Sequence, residues 1–225
     1  MPPQGPPGPR DPEGGHGAHD AVAGRATARS RAKADRRATL LAEAARLFAQ
    51  RGYDGVSMED LGAAAGISGP AVYRHFPGKQ AVLAALLVGA SERLRAGGEA
   101  VVSGAADDAA ALTALVRFHA AFALAEPDVI RVQDRDLDAL AEADRRTVRG
   151  LQRSYVEAWV AVLRRLHPDV PPAELRLRAQ AMFGLLNSTP YSVRTQDGRA
   201  VAAGRVAELL EEMALAALGR TRPPG

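Results

Sequence analysis

The stretch SMEDLGAAAGISGPAVYRHFPGK, residues 57–79, decides the fold. Ser57 followed three positions later by Asp60 reads as a helix start, with Glu59 and Asp60 as acids in the first turn. Leu61, Ala64 and Ala65 give that helix an apolar face, and Gly66 ends it after about two and a half turns. Ser68 is placed to cap a second helix, with Pro70 in its first turn, where the missing N–H costs little. Val72 and Phe76 lie four apart on one side of it, and Pro77-Gly78 stops it.

Upstream, Leu40, Ala44, Leu47 and Phe48 fall at i, i+4, i+7 and i+8, one buried stripe of a helix that begins near Ala34 and closes at Gly52. Before it, residues 25–37 form a basic arm (Arg25, Arg29, Arg31, Lys33, Arg36, Arg37) that turns helical near its end. Residues 1–24 hold six Pro and six Gly and almost nothing apolar, so they are expected to be a disordered tail. Downstream, helical patterns follow one another: from Lys79 to about residue 94, then 109–126, a corner piece over 128–136, a long helix over 137–166, then 172–191 and 199–218. There is no strand pattern and no repeat of 20–50 residues. The expected fold is all-α with about nine helices. The tail (1–24) precedes a three-helix unit with its arm (25–80) and a larger helical domain (81–221).

Composition narrows the function. The 225 residues are 47% hydrophobic, enough for a proper core, and contain 47 alanines, which favour helices. Zero cysteine removes disulfides, thiolate catalysis and cysteine-ligated metals. No run reaches ~18 uninterrupted apolar residues and the N-terminus is not apolar, so neither a membrane partner nor a signal peptide is expected and the protein should stay in the cytosol. Of the 29 basic residues 27 are Arg, a bias that a GC-rich genome explains. The formal charge of +3 is unevenly spread: −2 over residues 1–24, +5 over 25–80 and zero over 81–225. A local cationic surface suits a polyanion, because each neutralised phosphate releases counterions; a solvated basic face is the plain alternative.

Two short helices joined by a glycine turn, inside a three-helix unit with a basic arm, form a helix-turn-helix. Gly66 permits the turn, while Leu61, Ala65, Ile67 and Val72 clamp the helices. Gly69, Pro70 and Ala71 keep the entering end small enough for a major groove.

Over residues 38–87 the chain resembles the DNA-binding domain of the tetracycline-repressor (TetR/AcrR) family. The resemblance rests on GYDGVSMEDL (52–61), AGIS (65–68) and VYRHFPGK (72–79). It implies a ligand-responsive transcriptional regulator, a homodimer on palindromic double-stranded DNA, usually a repressor released by a small apolar or amphipathic effector. By motif position, Tyr73 would touch a phosphate or base edge, and His75 and Lys79 the DNA backbone. Ser57 would meet phosphate at a helix N-terminus. Ser68, Gly69, Ala71 and Arg74 lie on or beside the reading face, with Arg36 and Arg37 in the arm. Some relatives place Gln and Thr where this chain has Gly69 and Ala71. Readout therefore shifts to Ser68, Tyr73, Arg74, the arm or DNA shape, with Ala71 able to meet a thymine methyl.

The resemblance places the dimer interface on the last two helices. Their apolar stripes are Leu175, Ala179, Met182 and Leu186, then Val206, Leu209, Leu210, Met213 and Ala217. Candidates for a ligand cavity are the scarce large residues Phe118, Phe122, Tyr155, Trp159, Phe183 and Tyr191, with Asn187 as a polar anchor; ordinary core packing is the alternative for each. Arg117, His119, Asp134, Arg135 and Asp136 read as solvated charges. No metal or cofactor is expected. Neither His-Glu-x-x-His, nor a phosphate-cradling glycine loop, nor Gly-x-Ser-x-Gly occurs, so no enzyme is expected. An effector-independent architectural DNA-binding dimer remains the alternative.

Overall fold

The computed structural model describes residues 16–188 and 202–219, with side chains from residue 30 onward. Among them are nine α-helices, one 3-10 turn and no strand. The helices are α1 (His16–Arg51), α2 (Met58–Ala64), α3 (Gly69–Val72), α4 (Lys79–Ser103) and α5 (Asp108–Ala125). After them come α6 (Pro127–Asp136), the 3-10 turn (Leu137–Ala139), α7 (Glu142–Leu166), α8 (Pro172–Leu186) and α9 (Ala203–Leu218).

Residues 1–39 and 40–225 are two units. In the first, α1 begins at His16 rather than near Ala34, so residues 16–24, expected in the tail, are helical. Ala18, Ala21, Ala23, Ala26 and Ala28 supply the propensity that the Pro/Gly count of the wider segment concealed. From residue 30 to 39 every side chain but Ala32 is exposed, including Arg31, Lys33, Arg36 and Arg37.

The second unit holds two apolar cores. One joins Leu40, Leu47 and Phe48 of α1 to Leu61, Val72 and Phe76, and continues along α4 through Val82, Leu83 and Leu87 to Val129 and Val132 of α6. The other gathers Leu115 and Val116 of α5, Trp159 and Leu163 of α7, Leu175 and Leu186 of α8, and Ala214 and Leu218 of α9. The most apolar helix, α5, packs against α4, α7 and α9.

Three boundaries differ from expectation. The fourth helix runs on to Ser103 through Gly97-Gly98, because rings from other helices fill the space there. The long helix starts at Glu142, not Leu137. Leu140 is extended and buried, and the Gln80 amide donates to the Ala139 carbonyl at 3.2 Å, claiming a group that a continuous helix would use. The eighth helix stops at Leu186, with Asn187 and Ser188 in a turn.

Candidate nucleic-acid interface and buried ring cluster

The turn between α2 and α3 depends on two glycines. Gly66 takes φ +66°, and its neighbour Ile67 donates N–H to the Gly62 carbonyl at 2.9 Å. Gly62 lets the helices cross closely: a Cβ there would stand 2.9 Å from the Ile67 oxygen and 3.0 Å from Val72 Cγ2. The sequence reading missed Gly62, although a glycine inside a seven-residue helix is itself a signal of close approach.

Ser57 is committed within its own helix. Its hydroxyl accepts from the Asp60 N–H at 3.0 Å and donates to Asp60 Oδ2 at 2.8 Å, while its N–H donates to the same oxygen at 2.9 Å. These bonds hold the Asp60 carboxyl below the usual range, the backbone bond from Ser57 contributing most. A carboxylate thus sits at the N-terminus of α2, which corrects the expectation that Ser57 greets a phosphate there.

Ser68 behaves the opposite way. It occupies the N-cap of α3, but its side chain makes no capping bond, so the expected cap is backbone only. Regular helix spans only four residues. Beyond Val72 the chain tightens into turns, with Arg74 N–H to Ala71 O at 3.2 Å and His75 N–H to Val72 O at 2.9 Å. Val72 and Phe76 are buried, so the outer side carries Ser68, Pro70, Tyr73 and Arg74, with Gly69 and Ala71 half-buried between. Tyr73 is 51% exposed, unusual for so large a ring. Arg74 has no carboxylate within ion-pair distance among the described residues.

His75 and Lys79 are less free than expected. His75 is half-buried, with Nδ1 enclosed and without a hydrogen-bond partner. Lys79 donates to the Tyr53 carbonyl at 2.8 Å and stands 4.3 Å from the centre of its ring, pinning the start of α4 to the loop after α1. Two ammonium protons remain for other acceptors. Arg135 and Asp136, read as solvated charges, also form a junction. The Arg135 guanidinium donates to the Phe48 carbonyl and, at 3.4 Å, to that of Ala49 at the end of α1, and binds Asp136 at 3.0 Å. It satisfies carbonyls that a helix end leaves open.

In the C-terminal bundle the ring residues converge. Tyr155 and Trp159 of α7 meet Phe183 of α8 with centroids 5.5 and 5.1 Å apart. His119 of α5, only 3% exposed, lies 5.0 Å from Phe183, 5.7 Å from Tyr155 and 6.2 Å from Phe122. Its Nε2 faces Asn187 Oδ1 at 3.0 Å and donates, leaving Nδ1 to accept from the Tyr155 hydroxyl at 3.3 Å. Burial drives the His119 pKa down to about 4 and pushes the Tyr155 phenol up. The expectation that His119 is a solvated charge is therefore corrected: it is the polar centre of the cluster. Trp159 Nε1 is buried without a partner. Gly97 and Gly98 make room, since a Cβ at either would overlap Phe118 or Tyr155 at 2.2 and 2.4 Å. Tyr191 lies outside the described residues.

The expected dimer stripes divide. Leu175, Ala179, Met182, Leu186 and Leu210 are buried within this chain's own core, which corrects their assignment to an interface. The ridge pointing into the bundle is the more apolar one, and helical spacing alone cannot say which ridge points inward. Val206 is half-buried, whereas Leu209, Met213 and Ala217 are exposed. They have a counterpart on α8 in Ala173, Leu177, Ala181 and Gly184, all exposed, Leu177 by 65%.

Comparison with known proteins gives the same picture. Residues 40–86 match the family model "Bacterial regulatory proteins, tetR family", and residues 105–217 match "Tetracyclin repressor-like, C-terminal domain". The HTH-type transcriptional repressor KstR2 of Rhodococcus jostii is 30% identical over 132 residues, covering 58% of this chain and 65% of that protein. The TetR family transcriptional regulator PfmR of Thermus thermophilus superposes with a TM-score of 0.67 at 27% identity, covering 81% of this chain and 99% of that one. AibR, solved with isovaleryl coenzyme A and operator DNA, superposes with a TM-score of 0.67 at 19% identity over 83% of this chain and 100% of its own. The chain belongs to the tetR family of bacterial regulatory proteins, with a helix-turn-helix at its N-terminal end and a tetracyclin repressor-like domain after it.

Proposed function

We propose that this protein is a homodimeric, cytoplasmic transcriptional repressor that holds a palindromic operator and releases it when a small apolar or amphipathic effector occupies the C-terminal bundle. The observation that carries the reading is the outer side of α3: Ser68, Tyr73 and Arg74 are exposed, and neither the Ser68 hydroxyl nor the Arg74 guanidinium has a partner among the described residues. Gly69 and Ala71 keep the backbone near the groove floor, and Arg36 and Arg37 of the arm supply further cations. Lys79 acts chiefly by fixing the start of α4, with protons to spare for a phosphate. KstR2 is named a repressor, and AibR was solved with both an effector and DNA, which supports the same pairing here. No catalytic role is assigned.

The test uses full-length protein and a duplex selected from a random pool by the wild type. Arg74→Ala and Tyr73→Ala should each weaken binding by about 5- to 150-fold, the ~1–3 kcal/mol of a good base or charged contact, at unchanged oligomeric state. Unaltered affinity for the double variant would remove α3 from the interface. Operator binding that no small molecule shifts would favour the architectural alternative.

A further inference from the structure

A groove between α7 and α8, apart from the ring cluster, is lined almost wholly by cationic and amide side chains. Arg149, Gln152, Arg153 and Val156 line it from α7, and Arg176 and Gln180 from α8, around about 250 Å³. The α7 residues fall at i, i+3, i+4 and i+7 and the α8 pair at i and i+4, so each set is one helix face. No carboxylate lines the groove.

Nearby acids do not cancel the charge. Glu157 pairs with Arg176, one contact at 3.2 Å. Asp138 reaches Arg149 only at 3.9 Å and is nearer to Arg145, at 3.4 Å. Arg153 has no carboxylate within 4 Å among the described residues, unlike Arg145, Arg146, Arg149 and Arg165 of the same helix. Arg149 and Arg153 stand one turn apart with like charge, a repulsion that an anion between them would relieve.

We infer that this groove is the subsite for a phosphate-bearing head group of the effector, an inference that rests on the effector reading above. Three guanidinium forks and two amides from two helices offer more donors than one carboxylate can use, and they match the several terminal oxygens of a phosphate or diphosphate. The volume falls below the ~300–1,000 Å³ of a site that swallows a whole drug-sized ligand, which suits a head group. The rest of the ligand has a path: Phe183 and Asn187 lie seven residues beyond Arg176 and Gln180, two turns along the same flank of α8, where they join the ring cluster.

Calorimetry on the full-length protein, with inorganic pyrophosphate as probe, tests this. Wild type should bind it, and Arg149→Gln with Arg153→Gln should weaken binding at least ~10-fold at unchanged melting temperature and oligomeric state. Arg146→Gln with Arg164→Gln removes equal charge from α7 outside the groove and should change affinity less than ~2-fold. No pyrophosphate binding by wild type at millimolar concentration, or equal losses in the two variants, would overturn the site. So would dissociation of the oligomer on changing Arg149 and Arg153, because the groove would then hold carboxylates of a second copy. Failed pyrophosphate binding beside a ligand-responsive operator condemns the groove alone. Intact binding beside an operator deaf to every ligand condemns the effector reading and the groove's role with it.

Discussion

Gly62 carries no side chain and could accept none without moving its neighbours. Gly62→Ala should gain up to ~1 kcal/mol of helix propensity yet lose ~1–3 kcal/mol to overpacking against the Ile67 carbonyl and Val72. Denaturant titration should find it less stable than wild type, whereas Gly89→Ala should be slightly more stable, because only the end of the flexible Arg93 side chain lies near, at 3.7 Å. His119 gives a pH dependence with a definite sign. Its folded-state pKa, about 4, lies below the ordinary 6.5, so between those values the unfolded chain binds a proton that the native one refuses. Stability is therefore full above about pH 6.5 and falls as the solution is acidified towards pH 4, by about 3 kcal/mol in all at ~1.4 kcal/mol per pH unit. His119→Gln should flatten that slope, as read from unfolding midpoints at pH 4.5 and 7.5.

At the scale of elements, the Arg135 side chain ties α6 to the end of α1. Arg135→Ala removes donors from the Phe48 and Ala49 carbonyls and leaves the buried Asp136 carboxylate without its adjacent cation. Because the guanidinium is 46% exposed, screening limits the loss to about 1 kcal/mol, or ~2–4 °C in melting temperature, and the gap from wild type should narrow as salt is raised. The helices around Gly66 were readable because period, cap residues and turn residues agree there. The entry to α7 was not, because the hydrophobic pattern runs unbroken through Leu137–Ala139 while the Gln80 amide, 59 positions away, interrupts the helix. The i, i+4 spacing of Tyr155 and Trp159 announced a shared face. Nothing local announced that His119 would stand between them, since a single histidine on an apolar helix looks the same whether it faces water or the core.

For the whole molecule, the exposed apolar ridge of α8 (Ala173, Leu177, Ala181) and that of α9 (Leu209, Met213, Ala217) are what the proposed two-fold assembly would cover. Leu177→Glu with Met213→Glu should give a monomer by light scattering with helicity unchanged, whereas a persistent dimer would place the interface elsewhere. The operator contacts need that pairing, because two copies of α3 must reach successive major grooves roughly 34–36 Å apart. The guanidinium bridge from α6 to α1 then has a consequence for any ionic-strength titration of DNA affinity. Cations displaced from phosphates yield a straight log–log line, but the same added electrolyte also relaxes a half-exposed ionic tether inside the protein. The plot should bend downward at its concentrated end, and replacing Arg135 by alanine should straighten it.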